Sequence, residues 1–305
     1  IYTLSLHDAL PIWSARDGTG IRTLVLMKGC PLRCLWCSNP ESQHREPEIM
    51  EVPSNCIQCG KCVNICPQGA VNQENFIIDR NRCDRCGRCA EYCYAQAKKI
   101  VGMEMELQDI LEKIDRDRVF YLNSGGGVTV GGGEPMMQAG FVAELLRHCH
   151  RLHIHTAIET SAYCPQEDAR TVFEQVDQIF FDLKHMNSNR HRHLTGVGNE
   201  QILINARIAA DLSKGGGKEL IFRIPLIPGR NDSIDNIRAT GEFVHSLQGK
   251  DDSHIQIELL PYHDFGRMKY EQLGRVCPLP ELERPSEKHL EVCRNVLQTC
   301  GCHVM

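Results

Sequence analysis

Three cysteines stand in the order C-x3-C-x2-C within Cys30-Pro-Leu-Arg-Cys34-Leu-Trp-Cys37. One loop carrying three thiolates holds three corners of an iron–sulfur cubane and leaves the fourth iron without a protein ligand. An open position of this kind is what separates a catalytic metal site from a structural one. A three-cysteine zinc site with a distant fourth ligand has the same local pattern. Eight further cysteines form two runs of spacing C-x2-C-x2-C-x3-C: Cys56, Cys59, Cys62, Cys66 and then Cys83, Cys86, Cys89, Cys93. Two full copies of one pattern within residues 51–100 make an internal repeat.

The repeated run, with Pro67 closing its first copy, resembles the bacterial ferredoxin, in which the fourth cysteine of each run ligates the other cluster. The resemblance implies one [4Fe–4S] cluster on Cys56, Cys59, Cys62 and Cys93 and a second on Cys83, Cys86, Cys89 and Cys66. With the Cys30 loop that makes three clusters, and electron delivery is the expected role of the added two. Tyr94 stands where proline is usual, which alters a turn preference and removes no ligand. A zinc-binding or disulfide-rich module is the alternative. Eleven of the 17 cysteines lie in these runs. Close spacing suits metal ligation better than bridging, so a reducing compartment, the cytoplasm, and low oxygen are expected. Cys149, Cys164, Cys277, Cys293, Cys300 and Cys302 lack ligand spacing.

The remaining composition is that of an ordinary globular protein: 305 residues, 42% hydrophobic, 24% charged, net charge -5. That charge argues against a nucleic-acid binder acting through bulk electrostatics. No apolar run approaches the ~18 residues that span a bilayer, and no signal peptide is evident, so no membrane partner is expected.

These cysteines need a scaffold. Strand-like runs fall at Thr23–Met27, Gly127–Val130, His155–Glu159, Gln178–Leu183, Glu219–Ile224 and residues 254–260. Helix-like stretches between and after them cover Gln138–Cys149, Asp168–Gln175, Asn199–Leu212, Ser233–Leu247 and Ser286–Thr299. Strands alternating with helices imply a parallel sheet with right-handed crossovers. Six units are too few for a closed eight-unit barrel, so an α/β, partial (βα)6 barrel is expected. Residues 14–50 would open it, residues 51–100 form a ferredoxin-like insert, and residues 101–305 complete it. Residues 1–13 fit nothing that follows and are expected to be non-native or disordered.

The cysteine loop after a first strand, with Trp36 before its last cysteine, resembles the radical S-adenosylmethionine (SAM) signature. The glycine-rich stretch Ser124-Gly-Gly-Gly-Val-Thr-Val-Gly-Gly-Gly133-Glu134-Pro135 resembles the GGEP element of the same enzymes. Further segments resemble one branch, the glycyl radical enzyme activating enzymes, from about Asp17 to the C-terminus: Asp17-Gly-Thr-Gly-Ile-Arg22, Ile158-Glu159-Thr160, Asp182-Leu-Lys184, Arg223-Ile-Pro-Leu-Ile-Pro-Gly229 and Leu259-Leu-Pro-Tyr-His263. Thr19 for proline and Gly131 for serine are departures. The resemblance implies reductive cleavage of SAM and removal of hydrogen from a backbone glycine of a partner enzyme, with a flavodoxin or ferredoxin as reductant. It implies no catalytic side chain beyond the ligands. It places Trp36, Ser38 and His263 about the adenosyl group, and Gly132, Gly133 and Glu134 about the amino group. Glu159 falls near the carboxylate, with room for a monovalent cation, and Asp182, Lys184 and Arg223 contact SAM. Asp17 and Arg22 would meet the partner. A radical enzyme acting on a small molecule or another peptide is the alternative, against which the Asp17–Arg22 and Leu259–His263 segments argue.

Overall fold

The computed structural model describes residues 2–4, 18–214, 217–249 and 255–305. Eleven strands occur among them: β1 Tyr2–Leu4, β2 Arg22–Met27, β3 Glu48–Glu51, β4 Lys98–Val101, β5 Met103–Met105, β6 Gly127–Gly132, β7 His155–Thr160, β8 Gln178–Asp182, β9 Glu219–Leu226, β10 Ile255–Pro261 and β11 His303–Val304. Nine make one open sheet in the order β11-β10-β9-β8-β7-β6-β2-β1-β5. The six expected strands are β2 and β6 to β10, all parallel, and β11 extends the parallel set. β1 joins antiparallel between β2 and β5. Its backbone lies inside the segment expected to fit nothing; residues 5–17, including Asp17, lie outside the described residues.

The crossover helices Ala139–Arg151, Gln166–Phe173, Glu200–Ser213, Ile234–Leu247 and Glu287–Thr299 match the helix-like stretches within a few residues. Ser233 and Ser286 cap the last two through side-chain acceptors. Strand alternation then divides the sheet. Ile158, Ile179, Phe181, Leu220, Phe222 and Ile257 face the helices in the main core. Ala157, Phe180 and Ile221 form a separate small cluster on the other face, and Glu159, Asp182, Arg223 and Glu258 share that face by their pairing.

β3 and β4 pair antiparallel outside the main sheet, and residues 52–97 loop out between them. Ile49 faces the cysteine-rich loop and Met50 faces Val101 and Leu273, so this two-stranded ladder joins insert to sheet domain.

Arg22 is fully buried at the amino end of β2. Nε donates to Thr129 Oγ1 at 2.7 Å, Nη2 to the Val128 carbonyl oxygen at 2.8 Å, and Nη1 lies 3.2 Å from His155 Nδ1. This end of the sheet is opposite the cysteine loop. The Arg22 guanidinium, expected to meet a partner, is enclosed here and braces β2, β6 and β7. Replacing it with leucine strands those acceptors in a buried floor, and a loss of about 3 kcal/mol in denaturant unfolding is expected. A loss under about 0.5 kcal/mol, typical of a surface change, would contradict the brace.

Candidate active site

The parallel register sends the carboxyl ends of β2 and β6 to β10 to one edge, where ligand sites of such sheets are built. A cavity of about 240 Å³ opens there. It is lined by Cys30, Cys34, Trp36, Cys37 and Ser38 after β2, by Gly132, Gly133 and Glu134 at the end of β6, and by Glu159 of β7. Asp182 and Lys184 line it at β8 and His263 after β10. The structure thus brings together on one cavity every residue expected about SAM except Arg223, which stands one ion pair behind Glu159.

The cysteine loop is held from several sides. Its amides at Arg33 and Leu35 donate to the Thr195 and Leu194 carbonyl oxygens at 2.6 and 3.0 Å, at the end of the helix Ser188–Thr195. Cys30 N donates to the Gln43 carbonyl oxygen at 3.2 Å. Gly133 approaches so closely that a Cβ would collide with the Gly29 carbonyl oxygen, and the Glu134 amide donates to that same oxygen at 2.8 Å. Gly131 leaves room as well: a Cβ there would stand 2.9 Å from Glu159 Oε2.

Behind the loop lies an ionic network that the sequence reading missed. Lys28, fully buried, donates to the Glu41 carbonyl oxygen at 2.6 Å and faces Glu48 Oε2 at 3.6 Å. Lys269 reaches Glu41 Oε1 at 2.7 Å and Asn39 Oδ1 at 2.9 Å. Arg275 reaches Glu48 Oε1 at 2.5 Å and the Pro40 carbonyl oxygen at 2.6 Å. The one local signal was a lysine two residues before the first cysteine, which reads equally well as a surface charge.

Electrostatics at the cavity follow from burial. Desolvation pushes the Cys30 thiol well above its usual range and, with Cys37 nearby, lifts Cys34 to about 12 against the pull of Lys184. Burial opposes the charge on Lys184, but Asp182, 2.8 Å away, and then Cys34 outweigh it and hold the ammonium above ordinary lysine. Three converging thiols that resist ionisation, all unbridged, suit a group that brings its own positive charge. An iron–sulfur cluster on Cys30, Cys34 and Cys37 does so.

Two assignments sharpen. Glu134 accepts from Thr160 Oγ1 and Met136 N on one oxygen, and from Ser161 N at 2.9 Å and Ser161 Oγ at 2.5 Å on the other. Each oxygen already takes two donors, so the side chain fixes the turn after β7. Glu134, expected to accept the SAM ammonium, lines the cavity with both carboxylate oxygens already hydrogen-bonded. Arg223 pairs with Glu159 Oε1 at 2.6 Å and Glu258 Oε2 at 2.8 Å, its guanidinium 3.7 Å from the Phe180 ring centroid. It orients Glu159 across β7 to β10. His263 stacks on Phe265 at 4.3 Å between centroids.

In the insert, Cys56, Cys59, Cys62 and Cys93 line one cavity of about 550 Å³. Cys62, Cys66, Cys83 and Cys89 pack about Ile49, Val71 and Ile78. Cys93 thus lines the cavity of the first run's Cys56, Cys59 and Cys62, and Cys66 packs with Cys83 and Cys89 as well as with Cys62.

The clamp on the cysteine loop carries a pH signature. His191 is buried in the helix Ser188–Thr195, its Nδ1 2.7 Å from the Val197 carbonyl oxygen and 3.0 Å from Thr195 Oγ1. Burial holds its pKa below that of ordinary histidine. The fold prefers the neutral ring, so the contribution is complete above the unfolded value near 6.5 and is lost as pH falls from there through the lower folded value. Between about pH 7 and 5 the protein should lose stability more steeply than His191→Gln in parallel unfolding titrations; equal slopes would contradict a buried, neutral His191.

The Radical SAM superfamily profile matches residues 81–240, and that of a 4Fe-4S binding domain matches residues 50–72. The chain is 40% identical over 277 residues to the isethionate sulfite-lyase activating enzyme of Desulfovibrio desulfuricans, covering 88% of this chain and 86% of that protein. It is 41% identical over 286 residues to the choline trimethylamine-lyase activating enzyme of Oleidesulfovibrio alaskensis, covering 91% and 90%. The Streptococcus suis SuiB structure bound to precursor peptide SuiA shares the fold, with a TM-score of 0.51 at 13% identity over 92% of this chain and 46% of that one. The extent of these matches, with the cavity described above, shows that the chain belongs to the radical SAM superfamily and, within it, to the glycyl radical enzyme activating enzymes.

Proposed function

We propose that the Cys30–Cys37 cavity binds SAM and serves to activate a partner glycyl radical enzyme. The observation that carries this reading is the convergence of Cys30, Cys34 and Cys37 with Gly132, Gly133, Asp182, Lys184 and His263 on one cavity. When bound, the cluster with its open iron supplies the electron that splits SAM into methionine and a 5′-deoxyadenosyl radical, which takes the α-hydrogen of a partner glycine.

The chain's own residues bind, orient and exclude water. Trp36, Ser38 and His263 would hold the adenosyl part, with Trp36 packed at its back beside Ile227, Tyr262 and Leu279. The backbone of Gly132–Glu134 would face the amino group, since the Glu134 carboxylate is occupied elsewhere. Glu159, one oxygen already on Arg223, would lie near the SAM carboxylate, where a monovalent cation would offset two negative groups. Asp182 and Lys184 would contact the cosubstrate from β8. No proton transfer is needed. A glycine α-hydrogen suits the reaction because no side chain shields it.

The two cysteine sets of the insert would hold two further [4Fe–4S] clusters, three per chain, fed by a flavodoxin or ferredoxin in a reducing cytoplasm. The relatives' names differ in the lyase they serve, sulfite-lyase against trimethylamine-lyase, and the partner here is left at the level of a glycyl radical enzyme.

Anaerobic reconstitution with iron, sulfide, reductant and SAM should yield 5′-deoxyadenosine. Cys34→Ala should lower that yield at least a hundredfold, about 2.7 kcal/mol of barrier, while Cys86→Ala still assembles the first cluster, read by iron and sulfide content. Undiminished cleavage in Cys34→Ala would overturn the ligand assignment.

A further inference from the structure

The two cysteine runs of the insert differ in what surrounds them. The second run is bound to the sheet domain. Arg80, three residues before Cys83, donates to the Ile49 carbonyl oxygen at 2.6 Å and to the Gln272 carbonyl oxygen at 3.3 Å, and pairs with Glu51 at 2.9 Å. Gly87, next to Cys86, lies so near β4 that a Cβ would meet Ile100 Cδ1 at 2.6 Å. Arg85 is an electrostatic neighbour of His44, which follows the residue whose carbonyl oxygen accepts from Cys30 N.

The helix Arg267–Gln272 that receives Arg80 also reaches the radical-site loop. Tyr270, buried on it, has its hydroxyl oxygen 3.5 Å from Gln43 Nε2. Lys269 on the same helix pairs with Glu41. One short helix therefore touches the Arg80–Cys89 segment on one side and the loop following Cys37 on the other.

Exposure of single cysteines does not separate the runs, since Cys59 and Cys86 are both exposed. What sets the first run apart is its cavity, which holds Cys56, Cys59, Cys62 and Cys93 and is rimmed by Ile57 at 69% exposure and Tyr94 at 81%. Lys61 sits 4.2 Å over the Tyr94 ring at that surface.

We infer that the insert has a fixed polarity: Cys66, Cys83, Cys86 and Cys89 form the inner site, facing the Cys30–Cys37 loop across the helix Arg267–Gln272, and Cys56, Cys59, Cys62 and Cys93 form the outer site, open to a donor. This rests on the reading that each set holds a [4Fe–4S] cluster. Electrons from an external one-electron donor enter at the outer site and pass inward. Each hand-over oxidises one cluster by one electron and reduces the next, with no bond made or broken. Arg80 and Tyr270 act as positioning residues that hold the two cysteine loops in register.

The test is electron paramagnetic resonance on the dithionite-reduced, reconstituted holoenzyme. Dipolar coupling falls with the cube of distance, so the inner cluster dominates the broadening of the radical-site signal. Cys59→Ser should keep that broadening and Cys86→Ser should remove it; the reverse pattern would overturn the polarity. If either variant loses both insert clusters, iron anomalous diffraction of the unaltered holoenzyme decides. The iron centre at Cys86 must then lie nearer the Cys37 centre than the one at Cys59 does, and the opposite order overturns the proposal. Iron content separates the two levels: roughly twelve irons per chain support the three-cluster reading, whereas roughly four would sink that reading and the polarity with it.

Discussion

Three thiols crowded on one loop beside Lys184 and Asp182 are an arrangement suited to a bound cationic group. Desolvation keeps Cys30 and Cys34 protonated when no metal is near, and a buried polar group without a partner is destabilising. Iron reverses this by supplying positive charge where the thiolates form. The rest of the architecture serves that loop. The parallel register of β2 and β6 to β10 delivers the cavity-lining residues to the same edge, and the glycines of β6 let the backbone close on it.

The loop must also be held still, because a cluster with one open iron does useful chemistry only if the cosubstrate meets that iron in one geometry. Lys28, Glu41, Glu48, Lys269 and Arg275 supply the constraint. Buried ion networks contribute little net stability, since removing charges from water costs nearly what pairing returns. What they give is a unique arrangement, here joining the cysteine loop, the root of the insert at β3 and the segment after β10. The Glu159–Arg223–Glu258 row does the same across the sheet, with Phe180 beneath the guanidinium.

Much of this was legible in the residues. Cysteine spacing announces its chemistry because ligand geometry dictates it, and the six central strands were visible through their apolar runs. The cavity-lining residues followed from motifs that sit just past strand ends. What was not legible depended on tertiary packing. Arg22 looks like a surface cation in a glycine-rich loop, yet it is enclosed by Thr129, Val128 and His155, which come from β6 and β7. Glu134 looks like a cosubstrate acceptor until Thr160 and Ser161, about 26 residues later in sequence, are seen to take both its oxygens. Lys28 and Glu48 are ordinary polar residues until Lys269 and Arg275 arrive from the far end of the chain. β11 is two residues long, too short for any periodic signal.

In the function proposed above, the radical made at the Cys30–Cys37 loop takes hydrogen from a partner's backbone glycine. A partner glycyl radical enzyme, or its glycine-loop peptide, deuterated at the α-carbon of that glycine reports on this step. On anaerobic turnover with this protein, deuterium should appear in 5′-deoxyadenosine as the glycyl radical signal grows. Unlabelled 5′-deoxyadenosine accompanying a full glycyl radical signal would contradict direct abstraction by the radical made at this loop.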